Sequence, residues 1–238
     1  MCGVIGFSGE NNEFNIDILK KLILESQIRG KHSTGISYLE DNRVVSKIDP
    51  ISSKEFIIKN KFLFRSNNLM LIGHTRYSTS DLLYNQPIYS DDISIVHNGV
   101  ISQASPYKWE DIYGYKCEGK NDSELILRSV ISGNLPLLEF FNSSSMSVIE
   151  LHRSGKLLFY RNSSRPLWYY LLGKDLFIAS TKDIFIRAFN KENILPIECK
   201  SNNIYMFKDG KLTCNDIGVV SDDLQIHTEC SKNYLRRN

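Results

Sequence analysis

The chain has 238 residues, 42% of them hydrophobic, enough to bury one sizeable core or two small ones. Its 29 lysines and arginines stand against 27 acids, a formal charge of +2, which excludes the clustered basic excess of a nucleic-acid binder. No apolar run reaches the ~18–20 residues of a membrane helix, so neither nucleic acid nor a membrane is expected as a partner. The basic stretch from Lys232 to Arg237 reads as a solvated end. Met1-Cys2-Gly3-Val4-Ile5-Gly6 lacks the basic and apolar regions of a signal peptide. The cysteines (Cys2, Cys117, Cys199, Cys214 and Cys230) are odd in number and scattered, which argues against a zinc ribbon, a redox CxxC pair and a disulfide framework. A reduced, cytoplasmic compartment is the natural reading.

Val4 to Phe7 predicts a short strand almost at the first residue. Asn15 is a plausible N-cap, and Ile18, Leu19, Leu22 and Ile23 recur at helical spacing, predicting an amphipathic helix over ~16–28. Gly35 to Tyr38 and Val44 to Ile48 flank Asp41-Asn42 as a hairpin. Lys54 to Phe64 predicts a second helix. Leu69 to Gly73 is an apolar strand running into a polar string that begins at His74. Ile93 to His97 is a strand stopped by Asn98-Gly99, and Asp122 to Ile131 a helix with Leu125, Ile126 and Val130 on its apolar face. After Ser147 the pattern is strand-rich: Ser147 to Leu151, Lys156 to Tyr160, Leu167 to Leu172 and Leu176 to Ala179. A short helix is predicted at Ile184 to Phe189, then a hairpin of Ile204 to Phe207 and Lys211 to Cys214 about Asp209-Gly210. This layout predicts stacked antiparallel sheets covered by helices, an α+β layered domain without repeats or linkers.

Cys2 is the sharpest chemical feature. Removal of Met1 would leave a thiol and an α-amine on one residue, and α-amines titrate at roughly 7.7–8.0, where they can act as bases near neutral pH. A nucleophile activated by its own N-terminal amine suits acyl transfer. An unremarkable second residue is the alternative. The strand that follows favours the first reading, because it anchors a terminus that would otherwise fray.

Met1-Cys2-Gly3-Val4-Ile5-Gly6 resembles the opening of class II glutamine amidotransferases, which are N-terminal nucleophile (Ntn) hydrolases. Arg29-Gly30-Lys31-His32-Ser33-Thr34-Gly35 is similar to that family's RG-x-D-S-x-G loop. Gly73-His74-Thr75-Arg76-Tyr77-Ser78-Thr79 resembles GHTRY/W-[SA]-T. Gln86-Pro87 with Val96-His97-Asn98-Gly99-Val100-Ile101 resembles the QP…HNG-x-[IL] stretch, and Asn121-Asp122-Ser123-Glu124 the [ST]-D-[ST]-E segment. Arg161 to Leu167 resembles the RD-x-x-G-x-R/K-P-L turn, with Ala179-Ser180 as the A-S-E that follows it. Six motifs in family order span residues 1 to ~190, in a style closest to the amidophosphoribosyltransferase and glucosamine-6-phosphate synthase branch.

The resemblance implies a four-layer α/β/β/α sandwich of two antiparallel sheets, a single glutaminase domain over residues 1–238. It implies hydrolysis of the L-glutamine side-chain amide through a Cys2 γ-glutamyl thioester. Asn98 and Gly99 would form the oxyanion hole, although Asn-Gly after a strand also suits a plain turn. Arg76 would take the glutamine α-carboxylate, for which its fork of donors is matched, a surface ion pair being the alternative. Thr79 would be a second contact to the same end. Asp122 would take the α-ammonium, and as a helix-start acid it also complements the helix dipole. Arg29 and Gly30 would organise the loop around the N-terminus.

His32, Thr181 and Asn162 depart from the family's acidic letters, and His32 is read as a loop residue. No metal or organic cofactor is expected. The motif set lacks an ammonia-accepting synthase domain, so a separate synthase partner is expected. A hydrolase of another γ-glutamyl compound and a non-catalytic module that kept the fold remain the alternatives. The substrate preference, and the effect of retaining Met1, would separate them.

Overall fold

The computed structural model describes residues 2–61, 64–78, 83–133, 144–190 and 193–216. Two antiparallel sheets dominate it. One has seven strands in the order β11-β9-β10-β1-β4-β2-β3, the other six in the order β13-β12-β8-β7-β6-β5. In the first sheet the strands are β1 (Gly3–Glu10), β2 (Ser33–Glu40), β3 (Arg43–Asp49), β4 (Asn68–Arg76), β9 (Trp168–Leu172), β10 (Asp175–Ala179) and β11 (Ile197–Glu198). The second is built from β5 (Ile88–Tyr89), β6 (Ile93–Val100), β7 (Ser145–His152), β8 (Lys156–Arg161), β12 (Asn203–Lys208) and β13 (Lys211–Asp216).

Strand alternation explains the layering, since successive side chains point to opposite faces. Val4, Ile72, Val96, Ile149, Leu157, Phe159 and Ile178 meet between the sheets. The opposite face of the seven-stranded sheet carries Ile5, Phe7, Ile36 and Leu71. It packs against α1 (Glu13–Ser26), α2 (Ser53–Asn60) and α5 (Lys182–Ala188), which contribute Leu19, Leu22, Phe56 and Phe185. The outer face of the six-stranded sheet carries Ile95, Val148 and Tyr160 and is covered by α4 (Ser123–Ile131) through Leu125, Ile126 and Val130. Trp109, at the head of α3 (Trp109–Tyr113), joins the same cluster. The result is the four-layer α/β/β/α sandwich of the expectation. Each fully buried Leu, Ile or Phe contributes roughly 1.5–3 kcal/mol of apolar burial to holding the layers together.

The hairpin turns are where the sequence placed them. Asp41 and Asn42 have φ of 50° and 57°, and Asp209 and Gly210 have 50° and 73°, the positive values that the tight turn needs. Two local expectations are corrected. The cap of α1 is Asn12, whose side chain accepts from the Asn15 backbone N–H. Asn15 instead lies inside the helix, donating its amide to the Glu10 carbonyl and to Asp175. The two asparagines are three residues apart, and only the pairing with Asp175 decides which is internal. Asn98-Gly99 does not stop β6; both residues pair with β7, at Ser147 and Met146. The short β5 and β11, a 3₁₀ turn at Pro106–Lys108 and α3 were not anticipated, being too short for a periodic signal.

Candidate active site

β1 threads between β4 and β10, so the start of the chain is held on both sides. Val4 N donates to the Ser180 hydroxyl at 2.8 Å, and Ser180 N donates back to the Val4 carbonyl at 3.0 Å. The Cys2 carbonyl accepts from Arg29 Nε at 2.8 Å. Burial pushes the Arg29 guanidinium below its usual range, with the nearby Arg165 acting in the same direction. Gly3 permits the close approach, because a Cβ there would lie 2.5 Å from Thr75 Oγ1 and 3.0 Å from the Ser26 carbonyl. A Cβ at Gly30 would meet the Arg76–Tyr77 peptide at 2.2 Å, so the 29–30 loop rests directly on the end of β4. Arg29 and Gly30 thus lie against the first described residue and the end of β4.

The main-chain nitrogen of Cys2, which becomes an α-amine once Met1 is removed, donates to Asn98 Oδ1 at 3.2 Å across the gap between the sheets. That contact settles the orientation of the Asn98 amide, since the nitrogen of Cys2 needs an acceptor. Asn98 Nδ2 is left buried with no partner among the described residues, an arrangement that is costly unless something occupies it during function. Alternation along β6 turns the Gly99 N–H to the strand side away from β7, the side on which His97 N meets Gln86. A Cβ at Gly99 would lie 1.7 Å from the Ser145 carbonyl, so only glycine fits there.

A cavity of about 340 Å³ opens at this end of the sandwich, lined in part by Cys2, His74, Arg76, Gln86, Gly99 and Asp122. It is of a size for a small molecule. The register carries β1 one step past Gly3↔Thr75, bringing Cys2 beside Arg76. Arg76 Nη1 donates to the Tyr84 carbonyl at 3.1 Å and to Asn85 Oδ1 at 2.8 Å, which holds its fork at the cavity wall. Asp122 sits just before α4, and its Oδ2 accepts from Ile101 N at 2.6 Å and Ser102 N at 3.2 Å. A carboxylate and a guanidinium therefore share one small cavity with Cys2 and Gly99, and the Asn98 amide lies against Cys2 behind it. That set can bind a zwitterionic amino-acid end and stabilise an oxyanion beside a nucleophile. Burial pushes His74 down to about 3 and lowers His97, which favours the neutral imidazole in both. Among the described residues no cluster of His, Cys, Asp or Glu could hold a metal ion.

No family model matches the chain. It is 29% identical over 203 residues to glutamine–fructose-6-phosphate aminotransferase of Helicobacter pylori, covering 77% of this chain and 33% of that protein. It is 25% identical over 228 residues to the enzyme of the same name from Sulfolobus acidocaldarius, covering 89% and 36%. Among solved structures, the glutamine phosphoribosylpyrophosphate amidotransferase of B. subtilis superposes with a TM-score of 0.73 at 16% identity, over 92% of this chain and 50% of that one. The chain is similar in sequence to these aminotransferases and shares the fold of the amidotransferase. It spans about a third of the length of the curated relatives it matches.

The structure brings Cys2, Gly99, Arg76 and Asp122 to one cavity, with Asn98 bonded to the Cys2 nitrogen at its edge. Thr79 lies outside the described residues. His32 serves the loop, as read from the sequence. Its Nδ1 accepts from Ser78 N at 2.9 Å, and its ring lies 4.9 Å from that of Tyr77, tilted by 36°. Gln86, His97 and Ser123 were part of recognised motifs but had no assigned work, and Tyr84 and Asn85 none at all. Motif membership was the signal for Gln86, His97 and Ser123, and it gave no role to any of them. No helix of the described residues is long and apolar enough to cross a membrane.

Proposed function

We propose that the domain hydrolyses the side-chain amide of L-glutamine, with Cys2 as nucleophile after Met1 is removed. The observation that carries this reading is the Cys2 N to Asn98 Oδ1 contact of 3.2 Å beside an unpartnered Asn98 Nδ2. The same side chain fixes the amine that serves as base and aims a donor where the oxyanion will form. The Cys2 sulfur bonds to the amide carbon, and the thiol proton passes to the α-amine. Asn98 Nδ2 and Gly99 N hold the oxyanion. Collapse breaks the C–N bond, the α-amine returns the proton to the leaving nitrogen, and ammonia departs. A γ-glutamyl thioester remains, and water, deprotonated by the same amine, releases glutamate and restores the thiol. Arg76 takes the substrate α-carboxylate and Asp122 the α-ammonium, with Thr79 as a further contact.

In this reading residues 1–238 are one glutaminase domain working in the cytoplasm without a cofactor, and the ammonia passes to a synthase on a separate chain. The matched relatives are about three times as long, and their names pair glutamine with fructose 6-phosphate, which supports an acceptor reaction housed outside the aligned region. Intact mass spectrometry before and after 6-diazo-5-oxo-L-norleucine tests the chemistry. Loss of Met1 and one adduct on Cys2, blocked by L-glutamine and absent in Cys2→Ala, are expected. A processed chain that takes no adduct refutes the glutaminase assignment. Copurification of an acceptor enzyme that stimulates glutamate release tests the partner.

A further inference from the structure

Three of the proposed substrate-binding elements converge on one side chain that has no place in the chemistry so far. Gln86 is buried, with 5% of its surface exposed. Its Oε1 accepts from His97 N at 2.6 Å, and its Nε2 donates to the His97 carbonyl at 3.1 Å and to Ser123 Oγ at 3.0 Å. His97 N can only donate and the His97 carbonyl only accept, so the orientation of the Gln86 amide is dictated. β5 pairs with β6 at Ile88↔Ile95 and Tyr89↔Ser94 and goes no further. Where that ladder ends, the Gln86 side-chain amide takes the place of the next backbone partner of β6. The residue that follows on β6 is Asn98.

The other two connections leave from the same point. Ser123 Oγ also meets His97 Nδ1 at 2.9 Å, and Ser123 directly follows Asp122. Tyr84 and Asn85, immediately before Gln86, are the residues that hold Arg76 Nη1. Tyr84 is tied in turn to Asn121, whose Nδ2 donates to the Tyr84 carbonyl at 3.0 Å. The Gln86 backbone packs closely on Gly35, its carbonyl lying 2.2 Å from where a Cβ there would be.

We propose that Gln86 is a positioning residue that sets the distance between the oxyanion donors of β6 and the two groups, Arg76 and Asp122, that hold the amino-acid end of the substrate. This rests on the glutaminase reading and deepens it. A substrate gripped at one end and attacked at the other reacts only if that distance is right, and a misplacement of about 1 Å costs on the order of 10²-fold. Glutamine suits the task because it offers a donor and an acceptor at one tip. Glutamate would turn an acceptor onto the His97 carbonyl, and methionine would fill the space with neither group.

The test uses Gln86→Glu, Gln86→Met and, for a milder loosening of the same joint, Ser123→Ala. Each is compared with the wild-type chain in two labelling reactions and in steady-state glutamine hydrolysis. Diazo-oxo-norleucine needs the aligned site, whereas iodoacetamide needs only the Cys2 thiol. In the Gln86 variants the expected result is diazo labelling slower by about 10- to 100-fold with iodoacetamide alkylation nearly unchanged. Their kcat should fall more than KM rises, because oxyanion donors act mainly in the transition state. Ser123→Ala should instead act mainly on KM, through Asp122. If the Gln86 variants do not fold, a Ser123→Ala protein with wild-type KM overturns the proposal. Folded Gln86 variants whose diazo and iodoacetamide rates fall together, or whose kcat per folded molecule is unchanged, show a merely structural role and overturn it too. A wild-type chain that takes no diazo label defeats the glutaminase reading itself, and the proposal with it.

Discussion

Replacing Asn98 by alanine should separate catalysis from stability. The side chain is 2% exposed; its Oδ1 holds the Cys2 nitrogen at 3.2 Å, and its Nδ2 has no partner among the described residues. Losing one oxyanion donor removes about 2.7–4 kcal/mol of transition-state stabilisation, a fall of about 10²–10³ in kcat. Loss of the Cys2 contact removes a further ~0.5–1.5 kcal/mol and leaves the amine less well placed. The resting protein also carries the cost of a buried, unmade hydrogen bond at Nδ2, about 1–3 kcal/mol, and alanine relieves it. That relief offsets the lost contact, so the melting temperature should move little while activity collapses. Glutamate release under saturating glutamine gives kcat, and a thermal melt gives stability. Asn98→Asp sharpens the test, because it keeps an acceptor for Cys2 N but offers no donor to the oxyanion. A kcat for Asn98→Asp within about threefold of wild type would refute the assignment of Nδ2 as oxyanion donor. So would a loss of activity that merely tracks a loss of folded protein in Asn98→Ala.

Asp122→Asn keeps an acceptor for Ile101 N and Ser102 N but removes the charge that meets the substrate ammonium. KM for glutamine should rise about 10- to 100-fold, the worth of a charge-assisted hydrogen bond, with a small change in melting temperature. Gly99→Ala drives a Cβ to 1.7 Å from the Ser145 carbonyl. The β6–β7 ladder must part there, and a loss of at least ~1–3 kcal/mol in denaturant unfolding should accompany loss of glutaminase activity. The buried histidines set an acid limit. His74 is held at about 3 by burial first, then by the neighbouring His97 and Arg76, while an unfolded histidine titrates near roughly 6.5. The unfolded chain therefore binds more protons below pH ~6.5, and stability present above that value falls as pH drops toward ~3, by up to ~1.4 kcal/mol per pH unit. Burial lowers His97 and His152 in the same sense. Urea unfolding at successive pH values should show this slope, and His74→Gln should flatten it.

Much of this domain was legible from local pattern. Period-2 runs such as Ile93 to His97 and the 3.6-residue spacing of Ile18, Leu19, Leu22 and Ile23 mark strands and helix without reference to anything distant. Asp41-Asn42 and Asp209-Gly210 mark tight turns because few residues tolerate positive φ. The motif letters were legible too, and with them the expectation that Cys2, Asn98, Gly99, Arg76 and Asp122 act together. Other features needed the tertiary structure. Whether Asn12 or Asn15 caps α1 turned on Asp175, 160 residues beyond Asn15 in the chain. Whether Asn98-Gly99 is a turn or a strand was decided by pairing with Ser147 and Met146. The work of Gln86 was invisible, because it consists of hydrogen bonds to His97 and Ser123, 11 and 37 residues away. Sequence records which groups a residue carries and the local periodicity that orients them. Only the closing of one sheet over the other brings the Cys2 nitrogen to within 3.2 Å of Asn98, a residue 96 positions later.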